Sequence, residues 1–253
     1  MDVLLDPFGA GWADVHEGAQ AAAEAGFDGV WLYDHLAGSV HRARRVVECW
    51  TALTAIAATV PRIAIGPLVL NVANRDPGTL AVMAATLQDV SGGRLLLGVG
   101  AGGGPETPYA AEQVALGRTV GSDPVRRRAV EATITRLRAV WTGAITTASG
   151  FPLPEPAPPI VVGALGPKMA ELAGRLADGI NAPGGPRLGR LLDVARDAHA
   201  RAGRDPDAFV VTASAGSSPH DHERLRTMGV DRAIVYVGPP YAESIRRARA
   251  ALG

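Results

Sequence analysis

Asp34 and His35 stand side by side directly after the run FDGVWLY. A histidine at the end of a buried strand can take or give a proton near neutral pH. It can equally be tied into a structural hydrogen bond. Asp34 could fix the imidazole tautomer, or accept from a ring N–H of a bound molecule. A further carboxylate, Glu106, closes the stretch Ser91 to Glu106, SGGRLLLGVGAGGGPE. There a short apolar run feeds Gly98, Gly100, Gly102, Gly103 and Gly104, and a backbone this bare allows close approach. Residues 98–103 formally match G-x-G-x-x-G, but that fingerprint should open a helix. Here Pro105-Glu106-Thr107-Pro108 follows. A glycine-lined face for a flat ligand, formed by Gly100, Ala101 and Gly102, fits better than a dinucleotide loop. A merely flexible loop is the bland alternative.

Gly163-Ala164-Leu165-Gly166-Pro167-Lys168 joins a strand to a helix. Pro167 suits the first helical position. Free N–H groups and the helix dipole at such a start attract an anion, and a phosphate is the natural guest. An ordinary strand-to-helix turn would also favour glycine. His220-x-His222-Glu223 looks like half a metal site, but it follows Pro219 in a polar stretch and reads as a solvated helix start. No spaced ligand set for zinc is present, so no metal is expected. No G-x-S-x-G occurs, and a nucleophile-elbow hydrolase has no support.

These residues need elements to position them. Strand-like runs occur near Asp2–Phe8, Phe27–Tyr33, Ile63–Val69, Arg94–Leu97, Ile160–Val162, Asp178–Asn181, Ala208–Thr212 and Arg232–Val237. Helical spacing predicts helices over Ala13–Ala25, Arg44–Thr59, Gly78–Val90, Pro124–Trp141, Lys168–Ala177, Leu188–Ala202, His220–Met228 and Tyr241–Leu252. Pro105–Asp123 reads as an irregular insertion. Strict alternation of strand and helix implies right-handed crossovers and parallel strands. The strands are continuously apolar, as when both faces are buried. Eight such units in 253 residues suit a single-domain (β/α)8 TIM barrel over residues 1–253, with a doubly wound sheet as runner-up. In a barrel the site lies at the carboxyl ends of the strands. Those ends hold Asp6, Asp34, His35, Asn71 to Arg75, Gly100 to Glu106, Gly163 to Gly166, Asn181, Ser214 and Tyr236 to Gly238.

Composition narrows the partners. Formal charge is zero, with 25 basic and 25 acidic residues. A nucleic-acid binder needs a basic surface, so none is expected. Cys49 is the single cysteine; an intrachain disulfide is excluded, and a cytoplasmic setting is expected. The stretch MDVLLDPFGAGW carries no signal-peptide pattern, and no window is apolar enough for a membrane helix.

Several of these stretches resemble one family. AGFDGVWLYDH, the run ANRDP followed by a helix and SGGRLLLGVGAG, and PPIVVGALGPKMAELAGRLADGINAPG are similar, in order, to the bacterial luciferase-like oxidoreductases. The resemblance implies a (β/α)8 barrel with a flavin-type ring, either FMN or the deazaflavin coenzyme F420, across the strand ends. It implies a non-prolyl cis peptide at Asn71-Val72, forming a bulge behind the ring, with Asn71, Val72, Gly100 and Ala101 packed against it. It places the cofactor phosphate on Gly163, Ala164, Leu165 and Gly166. Asp34 and His35 match an Asp-His pair of F420-dependent members, the aspartate touching the ring and the histidine near the reacting carbon. Some of these place a glutamate where this chain has Gly103, and Glu106 is the nearest substitute. The expected activity is hydride transfer between a small organic substrate and F420, with His35 and Glu106 as proton donors or acceptors and Asp6, Gly102 and Asn181 near the cofactor. The alternatives are an FMN-dependent monooxygenase using dioxygen and a non-catalytic flavin-binding relative. A homodimer through the Ala-rich second and third helices is also expected.

Overall fold

The computed structural model describes residues 1–252. Nine strand segments form one parallel sheet: β1 (Asp2–Leu5), β2 (Gly29–Leu32), β3 (Ala64–Pro67), β4 (Leu70–Asn71), β5 (Leu97–Gly100), β6 (Ile160–Gly163), β7 (Gly179–Ala182), β8 (Val210–Ala215) and β9 (Arg232–Val237). Their order is β3-β2-β1-β9-β8-β7-β6-β5-β4. The two ends of this order, β3 and β4, are halves of one barrel strand. A parallel bridge between Ile65 and Leu95 joins β3 to the residues before β5, through Ile65 N–H to the Arg94 carbonyl at 3.0 Å and Leu96 N–H to the Ile65 carbonyl at 2.9 Å. The sheet thereby closes on itself as an eight-stranded barrel.

The helices are α1 (Trp12–Glu24), α2 (Cys49–Thr59), α3 (Pro77–Val90), α4 (Ala110–Ala115), α5 (Asp123–Trp141), α6 (Pro167–Leu176), α7 (Leu188–Arg201), α8 (Pro219–Thr227) and α9 (Tyr241–Leu252). Each buries its apolar stripe: Val130, Ile134, Leu137 and Trp141 of α5 are all under 10% exposed. Burying a side chain of this size contributes about 1.5–3 kcal/mol. Inside the barrel, Trp31 packs with Leu4 and Ile234. Its indole N–H donates to Asp2 at 2.8 Å, and Arg232 binds the same buried carboxylate at 2.7 and 2.8 Å. First and last strands are thus bonded across the seam. No helix among the described residues is long and apolar enough to cross a membrane.

Three departures from the sequence reading bear on the site. The helix expected from Arg44 begins only at Cys49. Its start is set by the Glu48 carboxylate, which accepts from Trp50 N–H at 3.1 Å and Thr51 N–H at 2.7 Å, a side-chain cap. The residues before it form a 3-10 turn, Gly38–His41, and Val46 pairs antiparallel with Phe8. Secondly, the insertion is not wholly irregular, since it contains α4. Thirdly, the third barrel strand does not run through to Val69.

It breaks at a cis peptide between Leu68 and Val69, not at Asn71-Val72. The break turns the half-buried Val69 side chain toward β5 and β6. A Cβ on Gly98 would lie 2.1 Å from the Pro67 carbonyl oxygen and 3.0 Å from Val69 Cγ1; one on Gly100 or Gly163 would lie 2.5 or 2.7 Å from Val69 Cγ2. Val69 thus requires glycine at positions 100 and 163, and the Pro67 carbonyl requires it at 98. Gly98→Ala is expected to destabilise the protein by about 1–3 kcal/mol, because backbone rather than a flexible side chain must give way. Urea unfolding measures it.

Candidate active site

His35 follows β2 and stands 19% exposed at the side chain. Four rings surround it, with centroids 5.3 Å away for Phe8, 6.4 Å for Tyr33, 5.7 Å for His41 and 5.2 Å for Tyr109. Phe8 follows β1, His41 belongs to the 3-10 turn, and Tyr109 immediately precedes α4. Three separate loops thus close an aromatic wall around one imidazole. Its Nδ1 lies 3.1 Å from Glu112 Oε1. Among the described residues no protein group bonds to its Nε2.

Glu112 is the functional residue that the sequence reading missed. It lies on α4, is almost fully buried, and accepts at Oε2 from the N–H groups of Leu36 (2.9 Å) and Ala37 (3.3 Å). Burial pushes its pKa up, but the bonds from His35, Leu36 and Ala37 outweigh it and hold the carboxyl below the usual carboxylate range. A depressed folded pKa stabilises the fold fully above the unfolded value, 4.5, and loses that contribution as pH falls through the folded value. Glu112→Gln is therefore expected to cost about 1–3 kcal/mol at neutral pH. The gap from wild type should narrow on acidification below the ordinary glutamate pKa, as read from urea midpoints across pH.

Glu106 takes no part in this arrangement. It is exposed in the loop before α4 and makes no hydrogen bond among the described residues. The acid that reaches His35 is Glu112 instead, carried by α4 where the insertion returns to the end of β2.

Asp34 has a different task from the one expected. Its side chain is 0% exposed. Oδ2 accepts from Asn71 N–H at 2.9 Å, Asn74 Nδ2 at 3.0 Å and Arg75 Nη1 at 3.0 Å, and Oδ1 from Arg75 Nη2 at 3.0 Å. With both oxygens consumed inside the protein, Asp34 neither touches a bound ring nor sets the His35 tautomer. It ties the end of β2 to the turn after β4. Arg75 also binds Glu48, so the same guanidinium links that turn to the start of α2.

The remaining expected residues divide by exposure. Asn71 and Val72 are buried; the Asn71 Oδ1 accepts from Ala73 N–H at 3.0 Å, holding the turn. Gly100 is buried beneath Val69, which is the side chain that occupies the bulge. Arg126 secures the following loop by donating to the carbonyls of Ala101 at 3.2 Å and Gly102 at 2.5 Å. Asp6 accepts from Phe8 N–H at 3.0 Å and from the Tyr236 hydroxyl. Burial, then that bond and the Asp6 charge, push the Tyr236 pKa upward and keep the phenol protonated. Asn181 donates to Thr212 Oγ1 at 2.8 Å and leaves its Oδ1 without a protein donor among the described residues.

At the β6 end, Ala164 N–H is already bonded to the Asn181 carbonyl at 2.8 Å. Leu165 projects its side chain into solvent, 73% exposed. Gly166 is the N-cap of α6 and supplies no side-chain cap. The N–H groups of Leu165, Gly166 and Lys168 carry no partner among the described residues. They form an open set of donors at a helix start. Among the described residues no group of three His, Cys, Asp or Glu side chains could hold a metal. His222 instead bonds the Gly216 carbonyl at 2.8 Å.

A match to the luciferase-like monooxygenase family spans residues 5–251. The chain belongs to that family. Among relatives of this luciferase-like chain, an F420-dependent glucose-6-phosphate dehydrogenase of Microbacterium testaceum is 34% identical over 201 residues, covering 74% of this chain and 58% of that protein. A 5,10-methylenetetrahydromethanopterin reductase of Archaeoglobus fulgidus is 34% identical over 224 residues, covering 85% of this chain and 62% of that protein. The chain thus spans about three-fifths of the length of these curated relatives. In structure it resembles an F420-dependent secondary alcohol dehydrogenase solved with an F420–acetone adduct, with a TM-score of 0.79, 18% identity and full coverage of both chains. The likeness to that structure supports the barrel fold.

Proposed function

We propose that this chain binds coenzyme F420 across the strand ends and catalyses hydride transfer between F420 and a small alcohol or carbonyl compound. The observation that carries the reading is His35, held at Nδ1 by Glu112 inside an aromatic wall with Nε2 free. The names of the 34%-identical relatives, an F420-dependent dehydrogenase and a methylenetetrahydromethanopterin reductase, favour a hydride-transfer cofactor.

The residues present fit such a group. Val69 offers an apolar bulge inside the barrel wall, cleared by three glycines. The uncapped start of α6 offers N–H donors of the kind that hold a phosphate. Bound F420 would supply the acceptor for the two electrons and the hydrogen leaving the substrate carbon. The chain's own part concerns the proton. In the oxidative direction His35 Nε2 takes the hydroxyl proton as the substrate C–H bond breaks; in reduction it returns that proton to the carbonyl oxygen. The rings of Phe8, Tyr33, His41 and Tyr109 pack around the imidazole that carries this nitrogen.

The test is a pair of titrations of purified protein, one with F420 and one with FMN, followed by fluorescence. Tighter binding of F420, with no oxygen uptake in the presence of reduced FMN, is the expected result. Preference for FMN with oxygen uptake would replace this reading by a monooxygenase. Tight binding with no turnover of any alcohol or carbonyl would point to a cofactor-binding relative. The reading also carries a homodimer through α2 and α3, which the mass in solution tests.

A further inference from the structure

Glu112 and Gln113 are neighbours on α4, and each reaches a different strand end. Glu112 bonds His35 Nδ1 and the N–H groups of Leu36 and Ala37 beyond β2. Gln113 Nε2 donates to Asn74 Oδ1 at 2.8 Å, and Asn74 in turn bonds Asp34. One turn of helix is therefore docked by side chains onto the end of β2 and the turn after β4. The path of the loop leading to it crowds position 103. A Cβ there would lie 2.5 Å from both Thr107 Oγ1 and Tyr109 Cβ. The carboxylate that comes close to the imidazole arrives later in the same insertion, on α4.

We propose that Glu112 is a positioning residue, which fixes neutral His35 as the Nδ1–H tautomer and so keeps its Nε2 lone pair turned to the substrate. Oε2 is occupied by two backbone N–H groups, which leaves Oε1 for the imidazole. An ionised carboxylate has no hydrogen to give, so the proton between Oε1 and Nδ1 belongs to the ring. A neutral imidazole carries one N–H, and Nε2 is then an acceptor. Without the carboxylate, nothing in the surrounding wall of Phe8, Tyr33, His41 and Tyr109 is bonded to either ring nitrogen. The Nε2–H form, unable to accept the hydroxyl proton, would then be populated. Glu112 itself is 2% exposed at the side chain, which leaves it no surface to offer a substrate. The value of this tautomer to turnover rests on the hydride-transfer reading above; the tautomer itself does not.

The experiment uses cofactor-free protein carrying 15N-labelled histidine, with ring nitrogens correlated to ring protons at a pH where the imidazole is neutral. His35 is assigned by its absence from the His35→Ala spectrum. Wild type is expected to show a protonated Nδ1 and an unprotonated Nε2. In Glu112→Ala the signals should move toward the Nε2–H form, while the remaining histidines stay where they are. Glu112→Gln keeps the volume; with its oxygen on the Leu36 and Ala37 N–H groups its amide nitrogen faces Nδ1 as a donor, so this variant should also move the signals to the Nε2–H form, which serves if the alanine variant does not fold. With F420 and a substrate that wild type turns over, Glu112→Ala should lower kcat about 10- to 100-fold, part of the 10²–10⁴-fold that a positioned acid–base group contributes. KM and F420 affinity should stay within about twofold, because neither ligand touches Glu112. An Nε2–H tautomer in wild type, or an unchanged tautomer in both variants, would overturn the proposal. The expected tautomers without F420 turnover would uphold the proposal and count against the hydride-transfer reading.

Discussion

His35→Ala is expected to lower kcat about 10²–10⁴-fold, the range for loss of a positioned proton donor or acceptor. F420 affinity should change by no more than about threefold, since the groups that suit the cofactor are Val69 and the N–H donors at the start of α6. The residue touches side chains of three other loops, the last of them carrying both Tyr109 and Glu112, but it is partly exposed and its removal leaves no buried ionic partner except Glu112, which keeps its two backbone donors. The variant should therefore fold. Turnover within about twofold of wild type would remove His35 from the mechanism. Equal loss of turnover and cofactor affinity would make it a binding residue instead.

Asp34→Ala should give the largest effect on stability, a loss of about 3–5 kcal/mol, the usual cost of removing one partner from a buried ion pair. Four hydrogen bonds to two carboxylate oxygens disappear together, and Arg75, 12% exposed at the side chain, is left with Glu48 as its only carboxylate. The urea midpoint should fall sharply at an unchanged slope. The expected role of Asp34 on the cofactor ring would instead give a weaker cofactor complex in a protein of normal stability. The two outcomes separate cleanly, because a 0% exposed side chain has no surface to offer a ligand.

The barrel was legible in the chain because its signals are local and repeated. Apolar strands alternate with helices whose stripes, such as Val130, Ile134, Leu137 and Trp141, keep a 3.6-residue period over several turns. The position of Asp34-His35 at a strand end was legible for the same reason. The partners of those two residues were not. Glu112 and His35 are separated by 77 positions, and Asp34 and Arg75 by 41. Both contacts depend on how neighbouring loops fold back.

A helix of six residues, Ala110–Ala115, is too short for periodicity to reveal. The one signal was compositional: YAAEQ sets two alanines before Glu112 and Gln113, good helix formers inside an otherwise turn-rich insertion. The site of the cis peptide was hidden differently. The resemblance pointed to Asn71-Val72, whereas the break falls at Leu68-Val69. The glycines facing it, Gly98, Gly100 and Gly163, come from two other strands. Their lack of side chains read as space for a ligand, and part of that space belongs to Val69. At the α6 start the reading of an anion site from Gly163 to Gly166 narrows to the donors of Leu165, Gly166 and Lys168, since Ala164 N–H is spent on Asn181.

A crystal structure of the protein with F420 decides whether the cofactor sits at this site. The deazaflavin ring is expected packed against Val69, its reacting edge toward His35 Nε2, with the phosphate on the N–H groups of Leu165, Gly166 and Lys168. A ring bound away from Val69 and His35, or a phosphate held elsewhere than the start of α6, would contradict that placement.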